Sequence, residues 1–491
     1  MAPRHIAILG GGLTGLSSAF HLSRRFPSST ITIIEKQKRL GGWAANTERV
    51  QLPGGRGSVI IEGGPRTLRP SANSVLELIH LLGLSDSVVT TPKSSPAAKN
   101  RFLHVPGTPG IYKIPGVSLS YLWSELRFFI TPGVSFEFVR GWNRPQGVLD
   151  ESMESFMTRR GHPVTARVLG SAMVHGIYAA DARLLSVRAA FPKLWELEEK
   201  GKGRILWGLL TRSKQEKEAE KQKEEEDRKR YEMGDVPKLV DGAAVYSFRD
   251  GMGTLAEALS RSVSKNPNIR ILSGTEVSAL QFDDENGFEI TTDKTNPIQP
   301  SHVVSALSLP ALNKIIPDAH PLPYLTTNPS SSVTAINLVF PTDKIYPPGF
   351  GYLVCRPEDD YAADDAGILG VTFDSTAHDA LTPGGERVTK VTVMMGGPHR
   401  APDTSLPVVL AHLQYHLNRR KPLPEPLAVR VWQHRNCIPT PLPGHLERMG
   451  KLREALSEGV WGGRLEVIGA GVRGVSVGDC VESGKMVGME W

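Results

Sequence analysis

Three hydropathy rhythms divide the chain. At its start, Ile6-Ala7-Ile8-Leu9 is an unbroken apolar run, as expected of a parallel strand buried on both faces, and a helix-like stretch follows over 16–25. A second run, Ile31-Thr32-Ile33-Ile34, predicts the next strand, and Val75, Leu78, Ile79, Leu81 and Leu82 recur at helical spacing. A loop over 93–99 and a strand over 100–105 follow, and from 113 to 210 the pattern becomes helical. Within it Leu119, Leu122, Trp123, Leu126, Phe129 and Ile130 line one face of an amphipathic segment. That face suits either the core of a small helical domain or the plane of a membrane interface. After Gly242 the strand-helix rhythm returns, with strands at 269–272 and 303–308 and a hairpin that starts at 276–280 and closes near Gly287. Residues 331–431 alternate apolar and polar, which predicts a sheet-rich region, and a last strand at 465–468 leads into a terminal helix.

The chemistry begins where the first strand ends. Gly10-Gly11-Gly12-Leu13-Thr14-Gly15 is a GxGxxG turn placed between a strand and a helix, the context in which that motif binds a dinucleotide. Gly10 permits the tight turn, Gly12 lets the backbone approach a pyrophosphate, and Gly15 lets the helix pack closely on the strand. Glu35 ends the second strand about 20 residues later, where a carboxylate meets ribose hydroxyls. To this point NAD and FAD fit equally well. Arg39-Leu40-Gly41-Gly42-Trp43 and Gly63-Gly64-Pro65-Arg66-Thr67 add glycines that admit a close ligand. At the far end, Gly469-Ala470-Gly471 and Gly478-Asp479 put a glycine turn and an acid at a helix N-terminus. There a carboxylate could accept from a polyol chain. FAD has a ribityl chain and NAD has none, so the two ends together favour FAD.

Composition narrows the alternatives. A chain of 491 residues predicts several domains, and three scattered cysteines give neither a disulfide framework nor a metal site. The net charge of +6 is compatible with anionic lipids or anionic substrates. Basic patches interleaved with aromatics are missing, so nucleic acid is not an expected partner. The chain has no apolar run of the roughly 18 residues that a spanning helix needs. The glycine turn starts so early that a cleavable leader is not expected before it. The charge run over 212–230 places Glu224, Glu225 and Glu226 four residues ahead of Arg228, Lys229 and Arg230, the order that supports a solvated helix; a disordered insertion is the alternative.

GGGLTGL, EKQKRLGGW and EGGPRTLRP, in that order, resemble the N-terminus of the protoporphyrinogen oxidases, a family of flavoenzymes of haem synthesis. The resemblance covers the chain apart from the charge run. It implies an α/β fold with three parts. A Rossmann-like FAD-binding domain, discontinuous in sequence, takes 1–92, 236–310 and 432–491. A sheet-rich substrate-binding domain takes 93–112 and 311–431, and a helical membrane-associating domain takes 113–235. It also implies that Gly10, Gly11, Gly12, Leu13, Thr14, Gly15, Glu35, Lys36, Arg39, Gly42, Trp43, Gly64, Pro65, Arg66, Thr67, Val277, Val475, Ser476, Val477 and Asp479 line FAD. Arg101 aligns with a substrate-propionate arginine, and Phe350, Leu353 and Met394 with apolar residues on either side of the macrocycle. His175, beside Gly176, stands where animal members carry an arginine, and a neutral imidazole is a weaker anion partner. The implied reaction removes six electrons from protoporphyrinogen IX in three cycles, each passing a hydride to the flavin, with oxygen reduced to hydrogen peroxide. Coproporphyrinogen and amine substrates are the rival readings within the fold, and a redox-inactive scaffold is the rival outside enzymes. The family also implies peripheral attachment to the mitochondrial inner membrane. It allows a homodimer and contact with the ferrochelatase step. No general base, and no lysine of the amine-oxidase kind, is identified from the sequence.

Overall fold

In the computed structural model the first apolar run is the middle strand, His5–Leu9, of a five-stranded parallel sheet. The strands lie in the order Leu465–Val467, His302–Ser305, His5–Leu9, Thr30–Glu35 and Ile269–Ser273. Described residues are 3–114, 142–210, 214–283, 287–342, 345–361, 366–377, 388–399 and 402–491. The expected amphipathic segment at Leu119 to Ile130 lies outside them.

Ile6 and Ile8 face one core with the helices Leu13–Arg25, Gly253–Ser264 and Val477–Met486, while Ala7 and Leu9 face another with Leu309–Asn313 and His445–Ser457. Burial on both faces explains why the strand reads as a continuous apolar run. The five strands come from three separated stretches of the sequence, 5–35, 269–305 and 465–467, so the sheet is assembled from distant parts of the chain.

A second, mixed sheet has seven strands in the order Ala428–Pro439, Ser330–Phe340, Thr389–Gly396, Ile368–Thr372, Gly351–Val354, Phe102–His104 and Tyr112–Lys113. Its last long strand runs past the expected boundary at 431, because residues 428–439 pair along almost the whole of Ser330–Phe340. One face of this sheet packs on the helix Leu406–His416. The other looks toward the glycine-rich loop at 63–66, with Gly63 lying against Trp432.

The helices between Met153 and Lys200 form a third cluster around Phe156, Leu185 and Trp195, which also takes in Ile438 and Val475. The charge run is the helix Lys214–Lys229, with Asp227 and Arg230 paired at 3.6 Å. Among the described residues no helix is long and apolar enough to cross a membrane, and no group of His, Cys, Asp and Glu is placed to hold a metal ion.

Candidate active site

The turn after the first strand has the strain pattern its glycines predict. Gly10 has φ +98° and donates its N–H to the Ile34 carbonyl at 2.9 Å. A Cβ on Gly15 would fall 1.9 Å from the Gly10 carbonyl oxygen, which only glycine avoids. At Gly12 a Cβ would meet nothing within 4 Å. Gly12 is the N-cap of the helix that begins with Leu13 and Thr14, so free N–H groups at a positive helix end border open space. That cradle fits a pyrophosphate.

Glu35 ties this turn to the next. Its Oε2 accepts from the Gly11 N–H at 2.7 Å and its Oε1 from the Gln37 N–H at 2.7 Å, which leaves lone pairs for ribose hydroxyls. The Gly41 N–H donates to the Gly11 carbonyl at 2.8 Å. Arg39 donates to the Gly42 carbonyl at 3.1 Å and to Asn46, closing the loop. Lys36 pairs with Glu276 at 2.6 Å on the surface, next to Val277 at the start of its strand.

Trp43 is 43% exposed, with its ring edge-on to His434 at 4.6 Å. A Cβ on Gly64 would sit 2.2 Å from the Trp43 carbonyl oxygen, so the loop carrying Pro65, Arg66 and Thr67 is pinned between Trp43 and Trp432. Arg66 reaches from there to the mixed sheet, donating to Thr372 Oγ1 at 2.8 Å with Asp374 at 3.8 Å; its buried Nε finds no acceptor among the described residues.

At the C-terminal end Asp479 has a structural partner of its own. The N-cap is Ser476, and Asp479 is the third helical residue of a capping box. Asp479 Oδ2 accepts from the Ser476 N–H at 3.1 Å and hydroxyl at 2.6 Å. That oxygen therefore serves the helix terminus rather than standing free for a polyol, and a sequence reading could have found the box in its Ser-x-x-Asp spacing. Val475 packs against the helical cluster and Val477 opens the helix.

The residues expected on the substrate side are brought near one another by strand register. Leu353 pairs with Gly370, and Gly370 with Met394, so two apolar side chains stand on either side of a position that has none. Gly176 packs on Leu353, where a Cβ would be 2.6 Å from a Leu353 methyl. Arg101 is exposed and immediately precedes the strand Phe102–His104, whose Leu103 pairs with Leu353. Phe350 donates its N–H to the Asn100 carbonyl at 3.0 Å, which keeps it beside Arg101.

His175 is enclosed by the protein's own groups. It is 3% exposed, its Nδ1 is 2.7 Å from the Val354 carbonyl and its Nε2 is 2.8 Å from the Tyr361 hydroxyl. The carbonyl can only accept, so Nδ1 carries the proton and Nε2 accepts from tyrosine. No N–H remains for a propionate, and His175 ties its helix to the sheet instead. Burial, the largest influence, pushes it down to about 4. The folded protein thus takes this proton less readily than the unfolded chain. Its contribution to stability is complete above about 6.5 and is lost as pH falls from there toward 4. Urea denaturation of His175→Gln should show a flatter decline over that window than wild type; equal declines would show that His175 does not titrate there.

Lys390 was not anticipated. It is half-buried on the face that carries Met394, donates to the Ile60 carbonyl at 3.0 Å and is pushed down by burial of its ammonium group, with Asp374 and Glu62 opposing that shift. The alternation Lys390-Val391-Thr392-Val393-Met394 held the signal, but a lysine in that pattern also reads as an edge residue.

A discontinuous parallel sheet, a glycine turn with an open phosphate cradle and an apposed mixed sheet define a flavin-dependent oxidoreductase. The chain belongs to the flavin containing amine oxidoreductase family, whose profile matches residues 13–487. Within it the chain is similar to protoporphyrinogen oxidase of Schizosaccharomyces pombe, at 32% identity over 506 residues covering 98% of this chain and 96% of the relative. Protoporphyrinogen oxidase of Homo sapiens is 29% identical over 504 residues, covering 98% and 97%. A solved structure from Exiguobacterium sp. 255-15 superposes with a TM-score of 0.75 at 20% identity, covering 98% and 97%, and so shares the fold.

Proposed function

We propose that this chain is the FAD-dependent protoporphyrinogen oxidase of haem biosynthesis. The observation that carries the reading is similarity over nearly the full length, which includes both the N-terminal turn and the C-terminal loop of the cofactor site. Bound FAD would supply the redox chemistry, hydride acceptance from the substrate with oxygen as the final acceptor. The residues bind and orient. Gly10 to Gly15 and Glu35 hold the pyrophosphate and ribose, while Trp43, Gly64 to Thr67, Val277 and Val475 to Val477 line the remainder. Leu353 and Met394, with the gap at Gly370 between them, and Phe350 beside Arg101 offer an apolar berth for a macrocycle. Arg101 gives one propionate a guanidinium partner at the rim. Asp479 contributes by fixing the helix end and the Val475-Ser476 backbone before it.

The helical part and the basic charge fit peripheral association with the mitochondrial inner membrane. Arg101→Ala should raise KM more than it lowers kcat, reducing kcat/KM by about 10- to 100-fold through loss of a charge-assisted hydrogen bond. Steady-state kinetics with protoporphyrinogen check this, and unchanged constants would remove Arg101 from the site.

A further inference from the structure

The loop over 469–476 joins the last strand of the parallel sheet to the capped helix, and on the reading above its end faces FAD. A buried chain of side chains holds it from behind. His445 is 2% exposed at the start of its helix, with Nε2 3.3 Å from the Val472 carbonyl and Nδ1 2.9 Å from Asn328 Nδ2. A carbonyl only accepts, so Nε2 carries the proton and Nδ1 is a bare acceptor for the Asn328 amide N–H. The Asn328 orientation is fixed from its other side: Oδ1 accepts from the Leu442 N–H at 3.1 Å and faces Arg448 Nη2 at 3.5 Å. Donors and acceptors match along the whole line.

We propose that Asn328 and His445 are positioning residues for FAD, a relay that braces the Val472 backbone and whose Asn328 link holds only while His445 is neutral. The inference rests on the assignment of 475–477 to the cofactor. A proton on Nδ1 would set N–H against N–H at Asn328. The amide cannot turn to answer it without giving up Leu442 and Arg448, so the Asn328 link breaks, and the imidazole that still donates to Val472 loses the partner that fixes its position. Groups facing His445 from the surrounding elements are Arg448, Asp150 and Glu447, and Tyr178 and Arg473 line the small cavity beside it. Asp150 is already committed to the Ser186 hydroxyl at 2.7 Å and the Gly444 N–H at 2.8 Å. Burial, the largest influence, pushes His445 down, so the relay is intact at neutral pH and fails on acidification.

The test is FAD release from purified holoenzyme, followed by flavin fluorescence at about pH 7.5 and at the lowest pH, down to about 4, at which circular dichroism shows the protein still folded. Wild type should release FAD at least about tenfold faster at the lower pH. In His445→Gln the side-chain N–H still reaches Val472 but takes up no proton. It should hold FAD at pH 7.5 and lose most of that pH ratio. Asn328→Ala should release FAD faster at both values, with a flattened ratio. Variants that melt earlier yet keep the wild-type ratio would overturn the relay and leave a purely structural role. Wild type that neither carries nor takes up FAD would instead overturn the cofactor assignment beneath it.

Discussion

Gly15→Ala should yield protein that is colourless and poorly folded, whereas Gly12→Ala should yield protein that is colourless and well folded. The two glycines are three residues apart in one motif, but they meet different surroundings. At Gly15 a Cβ would lie 1.9 Å from the Gly10 carbonyl oxygen and 3.4 Å from an Ile8 methyl, so the helix must move off the strand and open the core around Ile6 and Ile8. Forced separation of packed elements places this among the large single-residue effects, about 3 kcal/mol or more. At Gly12 the backbone is extended, with φ −71° and ψ −178°, and a Cβ would meet no protein atom. The apoprotein should accept alanine there, and the cost should fall on the pyrophosphate. Thermal melts with and without added FAD separate the cases. A Gly12→Ala protein that retains yellow FAD would show that the dinucleotide does not cross this point.

The largest loss of stability away from the cofactor is expected for Glu198→Ala. Glu198 is fully buried and is shared by three guanidiniums: Arg144 at 2.5 Å, Arg160 at 3.7 Å and Arg159 in closer contact. Arg144 also stacks over Trp195 at 3.6 Å. Removing the carboxylate withdraws the charge that these buried arginines share, a change that costs about 3–5 kcal/mol. Glu199, half-exposed and 3.1 Å from Arg144, should cost no more than about 1 kcal/mol when changed to alanine. Burial works to raise the Glu198 carboxyl, but hydrogen bonds from Arg159 and Arg144 outweigh it and hold it below the ordinary value. Its contribution is therefore present above about 4.5 and is lost as pH falls through the lowered folded value. Chemical denaturation of the two alanine variants checks the contrast, and similar losses would contradict it.

What could be read from the sequence was whatever local geometry enforces. The Gly10 to Gly15 turn was legible because a carbonyl 1.9 Å from a hypothetical Cβ admits one residue type, and because strand and helix flank it in sequence. The mixed sheet was legible as alternation, but its boundary was not: pairing between 428–439 and 330–340 involves chain segments about a hundred residues apart. Asp479 was legible as an acid at a helix N-terminus, but the bond from the Ser476 hydroxyl to its Oδ2 was not read from the sequence. Contacts made only by folding left no sequence signal. Asn328 meets His445 across 117 residues and Arg66 meets Thr372 across 306, and neither pair belongs to a motif. Burial of both His175 nitrogens was likewise invisible, because it depends on Val354 and Tyr361 from another part of the chain.

The central claim is tested most directly by anaerobic mixing of the purified yellow protein with protoporphyrinogen IX, followed by admission of oxygen. The flavin absorption should bleach before oxygen enters. The porphyrin band should then grow with about three oxygen molecules consumed and three hydrogen peroxide released per porphyrin, the balance required by a two-electron carrier removing six electrons. Coproporphyrinogen run in parallel should bleach the flavin more slowly. A flavin that stays oxidised with protoporphyrinogen, or one that bleaches faster with coproporphyrinogen or an amine, would contradict the assignment.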